Sequence, residues 1–149
     1  MIKLTWFNDL SHADLTITHD GLSVDEGLVT LVLICLFTDI RADDDDELPD
    51  GSADRRGWPG DTYSDYPWGS KLWLLWREKL TESVRQRIED YSRESLKPLI
   101  KENYARTTTV TATIVPYDRI NLVVVLTRPD AADMTIEISK RWESTLNAV

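Results

Sequence analysis

The residues best able to do chemistry lie in one stretch, RADDDDELPDGSADRRGWPGD, at positions 41–61. It contains a run of aspartates, two adjacent arginines and a tryptophan, without apolar periodicity. A calcium loop of the EF-hand type needs oxygen ligands at its positions 1, 3, 5 and 12 and a glycine at position 6. If Gly51 takes position 6, Leu48 falls at position 3 and Gly57 at position 12, so the spacing excludes an EF-hand. A solvated acidic run is the better interpretation, with loose binding of a divalent cation to the aspartates as the alternative, and we expect no metal site.

Zinc and acyl-transfer chemistry have little support in the sequence. His12 and His19 lie in a polar opening segment, Cys35 lies in an apolar run, and no C-x-x-C or H-E-x-x-H motif is present. A nucleophile elbow and a phosphate-binding glycine loop are also missing. A glycosidase needs only two carboxylates across a cleft, so a pair such as Asp50 and Asp61 stays open as an alternative. We expect no catalytic residue and no cofactor.

Arg55, Arg56 and Trp58 predict either a bracing element or a docking element. Arginine binds carboxylates through two parallel hydrogen bonds and stacks on indole rings, so these arginines would neutralise the aspartates of their own loop. Tryptophan, tyrosine and arginine are also the residues enriched in interface hot spots. The composition favours an internal brace and a partner-binding surface equally.

Composition limits the class of protein. A chain of 149 residues with 42% hydrophobic residues fits one folded domain, 1–149. A net charge of −9 repels phosphate, so we expect no nucleic-acid partner. The one cysteine excludes an intrachain disulfide and favours a reducing cytoplasm. The opening segment, MIKLTWFNDLSHADL, has no apolar core long enough for a signal peptide. The most apolar run, Leu28–Phe37, is too short for a bilayer, which needs about 20 residues, so we expect no membrane insertion.

The elements that must position the 41–61 stretch predict an α+β fold, with N-terminal helices packed with a C-terminal three-stranded antiparallel meander. Residues 1–20 are an N-terminal extension with short extended segments. Ser23 and Glu26 have capping-box spacing before an apolar helix over 24–38, which would bury Cys35 as an inert thiol. A long structured loop follows over 39–69.

After the loop, Ser70 is the expected N-cap of a short helix over 71–79. Thr81 is the expected N-cap of a longer amphipathic helix, which Pro98 should kink or end. Apolar residues recur along this second helix at the spacing of one buried face.

The pattern then changes to that of a β-meander over 106–139. The first strand, 107–115, alternates threonines with Val110, Ala112 and Ile114. The second, 120–127, is apolar on both faces and is expected to be covered on both. A third strand follows around 134–138, and 139–149 would form a short helix or a tail.

Five segments of the chain, read in order, resemble one known family. They are LFTDIRA at 36–42, LPDG at 48–51, RRGWPGD at 55–61, GSKLWLL at 69–75 and REKLT at 77–81. In order and spacing they resemble the Mu-like prophage baseplate protein family, that of the phage Mu gene forty-six product. This family is related to the baseplate wedge and sheath-initiator proteins of contractile tails. The resemblance covers roughly residues 22–105.

The resemblance implies a structural component of a contractile phage or prophage tail baseplate, in a wedge or sheath-initiator role, and not an enzyme. The implied partners are other baseplate wedge and hub proteins and the tail sheath protein. The implied locations are the tail baseplate of the virion and, during assembly, the host cytoplasm. The old lysozyme label on relatives keeps a peptidoglycan hydrolase with a carboxylate pair as the alternative.

Within this role we expect two groups of partner-binding residues. The first lies in the loop and comprises Arg41, Arg55, Arg56, Trp58 and Trp68. The second lies at the edge of the first strand of the meander and comprises Thr107, Thr109 and Thr111. An exposed strand edge can accept or donate a strand, which suits a protein that is covered by its assembly.

Overall fold

The computed structural model describes residues 4–7, 12–15, 17–18, 21–22, 27–49, 53–63, 65, 67–116 and 118–142. The capping box at Ser23 and Glu26, together with His19 and Asp50, lies outside these residues. The described helices and strands, in chain order, are β1 Leu4–Phe7, β2 His12–Leu15, β3 Ile17–Thr18, β4 Gly21–Leu22, α1 Leu28–Phe37, α2 Glu82–Ser95, α3 Lys97–Lys101, β5 Thr107–Val115, β6 Arg119–Thr127 and β7 Met134–Arg141. The predicted α+β fold with a C-terminal antiparallel meander is confirmed.

The meander is a sheet of order β5-β6-β7, antiparallel throughout. Its inner face carries apolar side chains that pack into the main core with α1 and α2. The prediction that β6 is covered on both faces is wrong. Its outer-face residues Asn121, Val123 and Val125 are only partly buried, because the helices pack against the other face. Ile114, near the end of β5, is also exposed although it was expected to point into the core.

Helix α2 follows its sequence signals closely. The Thr81 hydroxyl oxygen accepts a hydrogen bond from the Val84 amide at 3.3 Å, as expected of an N-cap. Val84 and Ile88 lie on its buried face. The helix ends at Ser95, and Pro98 lies in the first turn of α3, where its missing N–H costs nothing. Proline therefore separates two helices, as predicted.

Helix α1 runs from Leu28 to Phe37 and is buried along most of its length. Cys35 is fully buried, as predicted, and burial raises the pKa of its thiol to about 12, which disfavours the reactive thiolate. None of the described helices is long and apolar enough to cross a membrane.

Strand β1 packs against α1 and the end of β7. Trp6 of β1 stacks on Phe37 with ring centroids 4.5 Å apart, and its indole N–H donates to the Ser139 carbonyl at 3.2 Å. Ser139 to Arg141 extend β7 and are followed by the buried Trp142, so this part of the expected terminal helix or tail belongs to the sheet. Residues 143–149 lie outside the described part of the chain.

Candidate functional site

The loop over 39–69 is closed at its base by backbone pairing with Ser70. The Ser70 amide donates to the Thr38 carbonyl at 2.8 Å, and the Ile40 amide donates to the Ser70 carbonyl at 3.1 Å. The buried Ser70 hydroxyl donates to the Leu36 carbonyl at 2.5 Å. The Ser70 hydroxyl oxygen also accepts from the Leu72 amide at 3.4 Å, so Ser70 makes the predicted capping contact and fixes this segment to α1 at the same time. Only a 3-10 turn, Leu72–Leu75, forms where a helix over 71–79 was expected.

The acidic run folds around a lysine. The Lys71 ammonium lies 2.6 Å from a carboxylate oxygen of Asp43 and 2.8 Å from one of Asp46. Carboxylates of Asp43, Asp45 and Asp46 offer oxygens within 4.8 Å of one another, a spacing that suits a cation. Because the Lys71 ammonium contacts two of these three carboxylates, we assign no metal here.

The arginines of the loop bind differently from the prediction. The Arg55 guanidinium donates to the backbone carbonyls of Asp43 and Asp44, so it holds the acidic run by its backbone and not by its carboxylates. The expected neutralisation of the aspartates by arginine is met in part, because Arg56 pairs with Asp39 while Lys71 pairs with Asp43 and Asp46.

The Lys71 cluster predicts a specific dependence of stability on pH. Burial disfavours the charged form of both Lys71 and Asp46. The hydrogen bond from Lys71 nevertheless holds the pKa of Asp46 below its usual value. The hydrogen bonds to Asp43 and Asp46 hold the pKa of Lys71 above its usual value. The Asp46 contribution is therefore complete above its unfolded pKa, about 3.9, and is lost as the pH falls through the folded value. The Lys71 contribution is complete below about pH 10.4 and is lost above it.

We expect Lys71→Met to lower the free energy of unfolding by about 1–3 kcal/mol at pH 7, because two carboxylates lose their partner while Lys71 and Asp46 are only 19% and 18% exposed. The difference from wild type should shrink below about pH 4, where the aspartates become protonated. Urea unfolding at pH 7 and pH 3.5 measures it. Lys79→Met, at an exposed lysine, is the matched control. A difference that is constant across this pH range would contradict the assignment.

Arg56 braces the loop from within. Its guanidinium lies 4.6 Å from the ring centroid of Trp73 and 2.7 Å from a carboxylate oxygen of Asp39. Trp73 is buried and donates its indole N–H to the Ile40 carbonyl at 2.8 Å. A guanidinium nitrogen of Arg41 reaches the Arg56 carbonyl at 3.4 Å, so these two predicted residues are brought together. Arg56 therefore stacks on a tryptophan, as predicted for the arginine pair, and this tryptophan is Trp73.

We expect Arg56→Ala to lower the free energy of unfolding by about 1 kcal/mol, because the cation–π contact is lost while the ion pair with Asp39 is about 40% exposed and weak. Thermal unfolding followed by circular dichroism measures the change. Arg77→Ala, at an exposed arginine outside the loop, is the control. If Arg56→Ala and Arg77→Ala have equal stability, Arg56 does not brace the loop.

Trp58 is exposed to solvent beside a 3-10 turn. Its side chain is 49% exposed, and its carbonyl accepts a hydrogen bond from the Asp61 amide at 3.0 Å at the start of the 3-10 turn Pro59–Tyr63. A Cβ atom on Gly60 would fall 2.2 Å from the Trp58 ring, so glycine is needed for the ring to lie over this turn. Tyr63, at the end of the same turn, is 92% exposed. An exposed indole held this way can be buried by a partner with little loss of entropy.

Two features of this surface differ from the sequence prediction. Tyr63 was not among the predicted partner-binding residues. Its exposure follows from the 3-10 turn, which the local sequence pattern did not predict. Trp68 is half-buried against the core, and its amide donates to the Asp61 carboxylate at 3.2 Å. Trp68 therefore lies between the loop and the core, in contrast to Trp58.

The three threonines lie on a separate surface. Thr107, Thr109 and Thr111 are odd-numbered residues of β5, and together with outer-face residues of β6 they line the face of the sheet opposite α2. In the register of β5 and β6, Thr107 lies opposite Thr127, Thr109 opposite Val125 and Thr111 opposite Val123. The structure thus divides the predicted residues between the loop and the outer face of the sheet.

Asp50 of the alternative glycosidase pair lies outside the described residues, and the described carboxylates of the loop show no sign of such a pair. A general acid in such an enzyme needs a raised pKa beside an ionised partner. In the described part of the chain, the carboxyl groups with a clear shift are Asp46 and Glu82, and both have lowered pKa values, Glu82 because of the hydrogen bond from Arg85. Asp61 faces the Trp68 amide. The described geometry therefore offers no support for the hydrolase.

Comparisons with known proteins point to one family. Residues 28–133 match the family described as phage protein GP46. The chain is 44% identical over 123 residues to the baseplate protein gp46 of Escherichia phage Mu, across 81% of this chain and 85% of that protein. It is 28% identical over 142 residues to the Mu-like prophage FluMu protein gp46 of Haemophilus influenzae, across 95% and 96% of the two chains. The family match contains the whole 39–69 loop and both strands β5 and β6.

Proposed function

The chain belongs to the phage protein GP46 family, and on this premise we propose that it is a structural component of the baseplate of a contractile phage or prophage tail, needed for tail assembly. We propose no enzymatic activity. The baseplate role in the name of the Mu relative supports this proposal, because the chain aligns with that protein over most of both lengths.

The observation that carries the proposal is the exposed Trp58 on a loop that is otherwise tied down. Buried hydrogen bonds from Ser70 fix the base of the loop, and Arg56 and Lys71 brace its interior. We name the exposed part, Arg41, Trp58 and Tyr63, the loop surface. Tryptophan, tyrosine and arginine are the residues that dominate protein interfaces, and none of these three is buried by the described fold. A loop surface held by these contacts suits a permanent neighbour in an assembly better than a transient substrate.

The finer role we propose is that of a wedge-like domain, formed by residues 1–149, that also initiates the contractile sheath. Its partners would be other baseplate wedge and hub proteins, through the loop surface and Trp68, and the tail sheath protein, through the sheet that carries Thr107, Thr109 and Thr111. Arg55 and Arg56 would support this binding by holding the loop in shape. The protein would act in the virion tail and be assembled in the host cytoplasm.

The test is an affinity purification of the tagged chain from cells that produce the complete tail, with partners identified by mass spectrometry. We expect wedge, hub or sheath subunits to be recovered, and not to be recovered with the tag alone. The same preparation is assayed on purified peptidoglycan. If no tail subunit is recovered and the preparation clears peptidoglycan, the structural role is wrong and the hydrolase is supported instead.

A further inference from the structure

Strand β5 has a composition that favours pairing between copies of the chain. The sheet has the order β5-β6-β7, so one side of β5 has no neighbouring strand in the sheet. The residues of β5, TTTVTATIV, are mostly β-branched and include no charged residue and no proline. Uncharged segments of this kind pair readily with other molecules when their edge is open. The outer side of β5 is therefore a hazard for the free chain unless something covers it.

Two side chains of α2 cover this side in the middle of the strand. The Ala112 amide donates to a carboxylate oxygen of Glu89 at 3.1 Å, and the Ala112 carbonyl accepts from a guanidinium nitrogen of Arg85 at 3.0 Å. In an antiparallel strand the amide and carbonyl of one residue point to the same side. Glu89 and Arg85 thus supply one acceptor and one donor to Ala112, as a residue of a neighbouring strand would.

An ion-pair network holds both side chains in this position. The Arg85 guanidinium lies 3.0 Å from the Glu89 carboxylate and 2.6 Å from that of Glu82. Glu89 also pairs with Arg93 at 3.3 Å. The side chains of Arg85 and Glu89 are only 21% and 24% exposed, so water competes weakly for their contacts with the strand.

The other outer strand of the sheet, β7, differs from β5 in composition. It carries three charged side chains, those of Glu137, Lys140 and Arg141. Charged side chains on an outer strand themselves discourage pairing between copies of a protein. The cover supplied by α2 therefore lies on the outer strand that has no charge of its own.

We propose that Arg85 and Glu89 form a guard that keeps free copies of this chain from associating with each other through β5. The molecule that the guard excludes is a second copy, because two β5 strands can pair antiparallel about a two-fold axis at Ala112. Such a dimer would have to displace the ion-pair network from both copies at once. The guard is a property of the free chain in solution and does not depend on the baseplate role.

Sedimentation velocity of the purified chain over a concentration series tests the guard, after circular dichroism has verified that each variant is folded. We expect Glu89→Ala and Arg85→Met to dimerise at least about tenfold more tightly than wild type, because each leaves one backbone group of Ala112 unpaired. Arg93→Ala is the matched control, since Arg93 pairs with Glu89 and Asp90 of its own helix, and it should behave as wild type. Folded variants that associate no more than wild type would overturn the proposal.

Charge placed on β5 shows whether the dimer of Glu89→Ala forms through this strand. Thr111 and Thr113 are exposed and flank Ala112. In a pair that is two-fold symmetric about Ala112, position 111 of one copy lies opposite position 113 of the other, so lysines there place like charges face to face. We expect Thr111→Lys together with Thr113→Lys, added to Glu89→Ala, to restore the monomer. A dimer that persists with these two substitutions would contradict association through β5.

Discussion

Trp58→Ala should weaken incorporation of the chain into the baseplate by about thirtyfold or more, while the free chain stays as stable as wild type. A hot-spot residue at an interface contributes about 2 kcal/mol or more, which corresponds to this factor. Trp58 meets the conditions for such a residue, because half of its side chain is exposed and Gly60 allows it to lie over a fixed turn. Its removal leaves no cavity in the core, so the fold should tolerate it.

The measurement is the amount of each tagged variant found in tails purified from cells that lack the wild-type gene. Tyr104→Ala is the matched control, because Tyr104 is a large aromatic residue with 47% exposure outside the loop. We expect this control to be incorporated normally. If Trp58→Ala instead lowers the melting temperature together with Arg56→Ala, Trp58 is part of the internal brace and the loop surface must be reassigned.

Trp142→Ala should lower the free energy of unfolding by about 3–5 kcal/mol, a large fraction of the stability of a chain of this size. Trp142 is 3% exposed and lies against Trp76 with ring centroids 5.1 Å apart. Its indole N–H donates to the Glu78 carbonyl at 2.7 Å, so it joins the end of the sheet to the segment before α2. Truncation leaves both a cavity and an unpaired carbonyl.

Urea unfolding followed by tryptophan fluorescence and circular dichroism measures this loss. Trp142→Phe separates its two causes, because phenylalanine fills much of the space but donates no hydrogen bond. We expect this variant to lose about 1–2 kcal/mol. A loss below about 1 kcal/mol in Trp142→Ala would show that the end of the sheet is held mainly by other contacts.

The parts of the fold that depend on local patterns were predictable from the sequence. The bounds of β5, the Thr81 cap and the separation of α2 from α3 at Pro98 follow from residue alternation, side-chain capping and the geometry of proline. The role of Trp142 was not predictable, because its partners Trp76 and Glu78 lie far away in the sequence. The prediction that both faces of β6 are covered was wrong for a similar reason, because an apolar pattern does not show on which face the helices pack.

The candidate site shows the same division. The composition of the loop correctly predicted a contact between an arginine and a tryptophan, but it did not predict which arginine contacts which tryptophan. Arg56 contacts Trp73 and not Trp58, and Lys71 pairs with Asp43 and Asp46 whereas Arg56 pairs with Asp39. These contacts form because the pairing of Thr38 with Ser70 brings the two ends of the loop together. This long-range pairing of Thr38 with Ser70 also determines which aromatic residue of the loop remains exposed.

The most direct test of the structural role is quantitative mass spectrometry of purified, intact tails, compared with the cell lysate from which they come. We predict that the chain is present in the tails in a fixed ratio to the other baseplate proteins, and that this ratio does not change through further purification. A chain that is abundant in the lysate but absent from the purified tails would contradict the account.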